Sequence, residues 1–130
     1  MVCLDTDVII DFLKKDKEAY RKIFELKKND VELSTTTINS FELFRGNTKL
    51  SENSKDDSVD IFLDNVIVHK FELKDSKKAA EIFEELKSRG EMIELTDIMI
   101  ASVAIVNDEP ILTKNTKHFE RIKELRMEKF

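Results

Sequence analysis

The sequence predicts a small three-layer α/β domain, a parallel sheet with helices packed on both faces. Three observations carry that prediction. Short apolar or alternating runs recur along the chain, at Val2 to Leu4, Val31 to Thr35, Val66 to Phe71 and Pro110 to Thr113, as buried strands do. The segments between them keep helical apolar spacing, and strands that alternate with helices favour parallel pairing with both sheet faces covered. The 130 residues, 41% of them hydrophobic, are enough for one sizeable core, so 1–130 reads as a single domain.

Taken in order, Val2 to Leu4 is an apolar run that stops abruptly at Asp5-Thr6-Asp7. Asp7 to Lys15 then reads as a helix with Val8, Ile9, Phe12 and Leu13 on one side and Asp7 as its N-cap. Lys17 to Lys28 is a second helix whose apolar side is Ala19, Tyr20, Ile23, Phe24 and Leu26, and the two are expected to form a hairpin. Val31 to Thr35 alternates as a second strand, and the hydroxyl run Ser34 to Thr37 can cap a helix through Ile38, Phe41, Leu43 and Phe44 that carries Glu42. Gly46 and the polar stretch Asn47 to Asp57 read as a connection. Val59, Phe62, Leu63 and Val66 return to helical spacing before the third strand, Val66 to Phe71. Lys74 to Arg89 is a long helix with Ala79, Ala80, Ile82, Phe83 and Leu86 inward and Gly90 at its end. Leu95 to Val106 is apolar nearly all round, a helix buried on most faces. Pro110 to Thr113 is a fourth strand, Thr116 to Glu124 a last helix, and Leu125 to Phe130 a candidate fifth strand.

The composition bounds function. With 22 Lys+Arg against 27 Asp+Glu the net charge is −5, so any nucleic-acid substrate needs a local basic patch or bound cations, since there is no general positive field to attract it. No apolar run approaches the roughly 20 residues of a membrane-spanning helix, and no basic stretch precedes an apolar core as in a signal peptide. Cys3 is the only cysteine, which fits a reducing cytoplasm, and its place in the first strand makes it a small buried hydrophobe.

The acids fall in a pattern. Asp5 closes strand one, Glu42 lies on the helix after strand two, Asp97 opens the apolar helix, and Thr113-Lys-Asn-Thr116 follows strand four. Parallel strands bring their carboxyl ends to one edge, where open α/β sheets place their active sites. Carboxylates gathered there repel one another unless a cation neutralises them, and oxygen donors of this type suit Mg²⁺ or Mn²⁺. Such a site supports in-line phosphodiester displacement. Structural roles compete for several of these residues. Asp7 and Asp97 fit helix N-caps, Glu42 fits a solvated helix face, Asp11 a surface position, Asp56 and Asp57 a solvated face or helix start, and His69 a structural histidine.

The motifs that carry these acids resemble those of PIN-domain nucleases. Leu4-Asp-Thr-Asp-Val-Ile-Ile-Asp-Phe-Leu13 resembles the opening motif LDTNVLIDxL, and Thr35-Thr-Thr-Ile-Asn-Ser-Phe-Glu-Leu-Phe-Arg-Gly46 the second, in which a glutamate follows a hydroxyl-rich turn. Thr96-Asp-Ile-Met-Ile-Ala-Ser-Val-Ala104 resembles the third and Ile111-Leu-Thr-Lys-Asn-Thr-Lys-His-Phe119 the fourth, LVTRNTRDF. The four occur in the right order, and the chain is most similar to VapC-type toxins of toxin–antitoxin pairs. The resemblance implies a PIN-like fold with four or five parallel strands and metal-dependent endoribonuclease activity on single-stranded RNA. It implies Asp5, Glu42 and Asp97 as catalytic residues and Mg²⁺ or Mn²⁺ ligands, with Thr6, Asp7, Asn115 and His118 in support. It also implies a homodimer and a VapB-like antitoxin that inserts a segment into the acidic groove. Asp7 stands where the family usually has Asn, and Asn115 and His118 stand where it often supplies a fourth acid.

For substrate contacts, Arg45, Lys114, Lys117 and Arg121 are the candidate phosphate-binding residues. Two other readings stay open. A PIN scaffold without the fourth acid fits a catalytically weak or inactive RNA- or protein-binding module. Asp5-Thr-Asp-Val8 also resembles the start of haloacid dehalogenase-like phosphatases, with Asp5 as nucleophile and Asp7 as acid/base, although neither Gly46 nor Gly90 adjoins the further acid such enzymes need.

Overall fold

The computed structural model describes residues 1–50 and 57–130. Its elements run β1 (Val2–Leu4), α1 (Thr6–Leu13), α2 (Lys17–Lys28), β2 (Leu33–Thr36), α3 (Thr37–Leu50), α4 (Ser58–Asp64), β3 (Ile67–His69), α5 (Leu73–Arg89), α6 (Leu95–Val106), β4 (Ile111–Leu112) and α7 (Thr116–Phe119). The sheet is wholly parallel, in the order β3-β2-β1-β4. The predicted fifth strand is reduced to one parallel bridge: Ile111 donates to the Arg126 carbonyl and Glu128 to that of Ile111, so Met127 lies beside β4.

Two apolar layers sandwich the sheet. On one face Val2, Leu4, Leu33 and Leu112 pack under Val8 and Ile9 of α1, Ile23 and Leu26 of α2, and Val59 and Phe62 of α4. On the other, Cys3 and Ile111 pack against Ala79, Ile82 and Leu86 of α5 and Ile98, Ala101 and Ala104 of α6. The chain lays down strands outward from β1 to β3 and then crosses the sheet to place β4 on the far side of β1. The direction therefore reverses between β1 and β4, and the crevice beyond their carboxyl ends is where such sheets bind ligands.

Several elements differ from the sequence-based expectation, each for a physical reason. The N-cap of α1 is Asp5, whose carboxylate accepts from Thr6 N at 2.8 Å; Asp7 lies in the first turn. In the same way Glu94 precedes α6 and Asp97 is the third residue of its first turn, which corrects the reading of Asp97 as a cap. The inner face of α2 holds Lys22, not Tyr20 or Phe24, which are 52% and 63% exposed. The buried lysine is tolerated because Glu128 lies 3.2 Å from its Nζ. Helix α3 runs through Gly46 to Leu50, where a connection was expected, while the part of that stretch from 51 to 56, Asp56 included, lies outside the described residues. β2 is buried along its whole length, although three of its four residues carry hydroxyls, because each hydroxyl has a partner: Glu109 for Ser34, the Leu4 carbonyl for Thr35 and Asn39 for Thr36.

The end of α5 is as predicted. Gly90 adopts the left-handed conformation at φ 65°, and its N–H bonds back to the Leu86 and Lys87 carbonyls. An added Cβ would meet no atom within 4 Å, so the cost of Gly90→Ala is backbone strain alone. Thermal unfolding of that variant is expected to show a loss of about 1 kcal/mol. Unchanged stability would mean the turn relaxes freely.

Candidate active site

The strands end at one edge, and the residues that follow them interlock. Asp5, 6% exposed, is held by three donors: Thr6 N at 2.8 Å and Asn39 Nδ2 at 3.3 Å on Oδ1, and Thr113 Oγ1 at 2.7 Å on Oδ2. Thr113 follows β4, so this last bond closes the crevice between β1 and β4. The Thr6 hydroxyl donates to Glu42 Oε1 at 2.7 Å and joins the strand-one acid to the helix after strand two. Asp97 faces His118, whose Nδ1 lies 3.0 Å from its Oδ2, and Asn115 Nδ2 lies 2.8 Å from the same Nδ1. The structure thus brings Asp5, Thr6, Glu42, Asp97, Asn115 and His118 to one sheet edge.

Electrostatics mark the centre of this cluster. Burial, and after it the nearby charge of Asp7, push the Asp5 carboxyl up to about 7, against the opposing bonds from Thr113 and Thr6; Asp97 adds a smaller upward push. Burial also raises Asp97, partly offset by His118. Asp7 is raised by burial as well; its Oδ2 accepts from Lys114 N at 3.1 Å, and its buried Oδ1 has no hydrogen-bond partner among the described residues. Burial leads in all three, and at Asp5 the charges of Asp7 and Asp97 add to it.

The predicted phosphate contacts fare differently. Lys114 Nζ is occupied by Asp11 and lies 3.4 Å from Asp16, tying the loop after β4 to the start of α2. Asp11 is accordingly an ion-pair partner, where only a surface role was expected. Arg121 is likewise committed, donating to the carbonyls of Glu91 and Met92. Arg45 is exposed on α3 with its guanidinium carbon 5.6 Å from the Phe41 ring centroid, and Lys117 is exposed on α7. His69 is structural as expected, bonded to Glu109 at 2.9 Å.

One site residue, Asn39, escapes sequence reasoning; Thr36 reads only as part of a capping run, and Thr113 only by its place after strand four. All lie in or beside the motifs quoted above, but a hydroxyl or amide after a strand is indistinguishable from ordinary capping chemistry until its partners are seen. Thr36 does cap α3, accepting from Ile38 N and Asn39 N at 3.1 and 3.2 Å.

Comparison with known proteins places the chain among recognisable relatives. A model of the PIN domain matches residues 2–125. Ribonuclease VapC1 of Methanocaldococcus jannaschii is 33% identical over 95% of this chain and 82% of its own, and Ribonuclease VapC2 of Rickettsia felis is 30% identical over 96% and 94%. Among solved structures, VapBC2 from Rickettsia felis bound to a promoter DNA fragment matches with TM-score 0.89 and 29% identity, covering 100% of this chain and 99% of that one. The DNA-bound VapBC of Salmonella typhimurium matches with TM-score 0.82 and 26% identity over 98% and 96%.

Proposed function

Because this chain belongs to the PIN-domain family, we propose that it is a divalent-metal-dependent endoribonuclease, the toxin member of a pair with a VapB-like antitoxin. The observation that carries this reading is the joining of Asp5 to Glu42 through Thr6, with Asp97 within electrostatic reach of Asp5, at the reversal point of the sheet. Asp5, Glu42 and Asp97 are the catalytic and metal-binding acids, and Thr6, Asp7, Asn115 and His118 hold or surround them.

The donor set fits a hard dication. It consists of carboxylate oxygens, those of Asp5 buried and within reach of the Asp7 and Asp97 charges, and Asp7 adds a buried oxygen without a hydrogen-bond partner among the described residues. Among the described residues no three acid, histidine or cysteine side chains are yet disposed around one point as ligands, and two contacts compete with an ion for them: Thr6 on Glu42 and His118 on Asp97. Bound there, Mg²⁺ or Mn²⁺ would supply water activation and charge neutralisation at the scissile phosphate. The chain's own part is orientation. Thr113 and the Thr6 amide fix both oxygens of Asp5, Thr6 aims Glu42, and His118 fixes Asp97.

Arg45, three residues after Glu42, and Lys117, next to His118, are exposed and are the candidates left to meet the RNA backbone. The same acidic edge suits a cationic antitoxin segment, and the working form is a cytoplasmic homodimer. Among the described residues no helix is long and apolar enough to cross a membrane. The phosphatase reading of Asp5 and Asp7 leaves Glu42 idle, whereas Thr6 ties it to the first acid.

The test is cleavage of generic single-stranded RNA by the purified protein. Cleavage is expected with Mg²⁺ or Mn²⁺, is lost in EDTA and returns with excess metal, and Asp97→Asn removes it. Cleavage indifferent to EDTA or to Asp97→Asn sinks the proposal, and hydrolysis of small phosphate esters dependent on Asp7 would favour the phosphatase.

A further inference from the structure

We infer that Asn39 is a positioning residue that sets the direction of the hydrogen bonds reaching Asp5 and Glu42. The inference rests on the nuclease reading and deepens it. Asn39 is fully buried at the start of α3, three residues before Glu42, and its amide is used to capacity. Oδ1 accepts from Thr36 N at 3.2 Å and from Thr36 Oγ1 at 2.7 Å. Nδ2 donates to Thr6 Oγ1 at 2.9 Å and to Asp5 Oδ1 at 3.3 Å.

The orientation of that amide is forced. A backbone N–H can only donate, so the Asn39 atom facing Thr36 N must be the oxygen. The Thr36 hydroxyl already accepts from Ile38 N and Asn39 N, so its own hydrogen is also directed at that oxygen. With Oδ1 fixed towards Thr36, both hydrogens of Nδ2 point into the acid cluster. Thr6 Oγ1 then receives one of them, and its single hydrogen is free for Glu42 Oε1. The result is a one-way chain from the Thr36 amide through Asn39 and Thr6 to Glu42, with a branch to Asp5. A matching chain runs from Asn115 N at 3.0 Å to Thr113 Oγ1 and on to Asp5 Oδ2. Both chains start at a backbone N–H and end on a carboxylate, so the acids are presented as acceptors with their geometry set before any ion arrives. A leucine of similar volume would fill the space and lose this. An aspartate would turn acceptors towards Thr6 and Asp5.

Groups that orient metal ligands from behind commonly contribute 10- to 100-fold in metal affinity or activity, and loss of that order is expected here. The experiment measures Mn²⁺ affinity of the full chain by calorimetry without RNA, together with kcat, KM and thermal stability. Asn39→Ala should raise the Mn²⁺ Kd about tenfold or more and lower kcat with little change in KM. Thr6→Val should do likewise through Glu42, and the double variant should lose less than the product of the two single losses, because one chain is broken twice. Mn²⁺ affinity within about twofold of the parent in Asn39→Ala, or losses that simply multiply in the double variant, overturns the inference whatever happens to stability. Should Asn39→Ala not fold, Thr6→Val decides alone, with weakened Mn²⁺ binding in support and parental binding against. If the parent itself binds no Mn²⁺ and cleaves no RNA, the nuclease reading has failed, a result distinct from a parent that binds and a variant that binds equally well.

Discussion

Asp5→Asn is expected to reduce RNA cleavage by about 10³-fold or more while making the metal-free protein more stable at pH 8. The two effects share one cause. Asp5 is buried among other acids, and its carboxyl is pushed up to about 7, chiefly by burial and then by Asp7. In the unfolded chain an aspartate titrates near 3.9. Between about pH 4 and pH 7 the unfolded chain has therefore lost a proton that the folded chain keeps, and stability falls as pH rises through that window. Above it the folded protein carries the full penalty of an ionised, desolvated carboxylate. Asparagine cannot ionise. It keeps an oxygen for the Thr6 and Asn39 donors, and its amide can turn to the Thr113 hydroxyl. Thermal unfolding without metal should show Asp5→Asn melting about 5 °C above the parent at pH 8, with the gap closing below pH 4. Added Mn²⁺ should stabilise the parent and leave the variant unmoved, since only a ligand that binds the folded state shifts its melting. Parental cleavage by the variant would remove Asp5 from the chemistry. A variant that melts below the parent at pH 8 would show that the Thr113 bond outweighs the repulsion.

This balance also explains what the sequence disclosed. An acid that closes an apolar strand is conspicuous because burial and charge conflict there, and Asp5 stands out for that reason. Glu42 and Asp97 gain meaning only when parallel pairing gathers the strand ends, which the strand–helix alternation predicts. Of the residues that hold the acids, Thr6, Asn115 and His118 are readable only through the family motifs, and Thr113 only by its place after strand four. Asn39 is silent, because a buried amide carries no such conflict and is ordinary until Asp5 and Thr6 are its partners. Helix ends divide in the same way. Gly90 announces the end of α5, whereas α1, α2 and α6, which end at Leu13, Lys28 and Val106, are each followed two residues later by Lys15, Asp30 and Asp108, non-glycine residues whose left-handed conformation no pattern flags. Lys22 faces inward because Glu128, more than a hundred residues later, satisfies it, a pairing beyond the reach of any local pattern.

A second large effect is expected far from the acids. Glu109 precedes β4 and is buried; its carboxylate accepts from the Ser34 hydroxyl of β2 and lies 2.9 Å from His69 Nε2 at the end of β3. One side chain therefore spans the α5–α6 face of the sheet beneath β1 and links the strands on either side of it. Burial, and after it the Glu109 charge, holds the Cys3 thiol well above the ordinary range, so Cys3 stays a neutral hydrophobe. Glu109→Ala should destabilise the protein by about 3 kcal/mol, because it leaves the buried Ser34 hydroxyl and the His69 nitrogen without their acceptor and opens a cavity. Glu109→Gln keeps the volume and one acceptor oxygen, and should cost about 1 kcal/mol. Cleavage per folded molecule should stay parental in both, since the carboxylate touches none of the three acids proposed for catalysis, Asp5, Glu42 and Asp97. Denaturant unfolding of the two variants separates the contributions. Equal losses would assign the effect to the negative charge, whereas a loss confined to Glu109→Ala assigns it to packing and hydrogen bonding across the sheet.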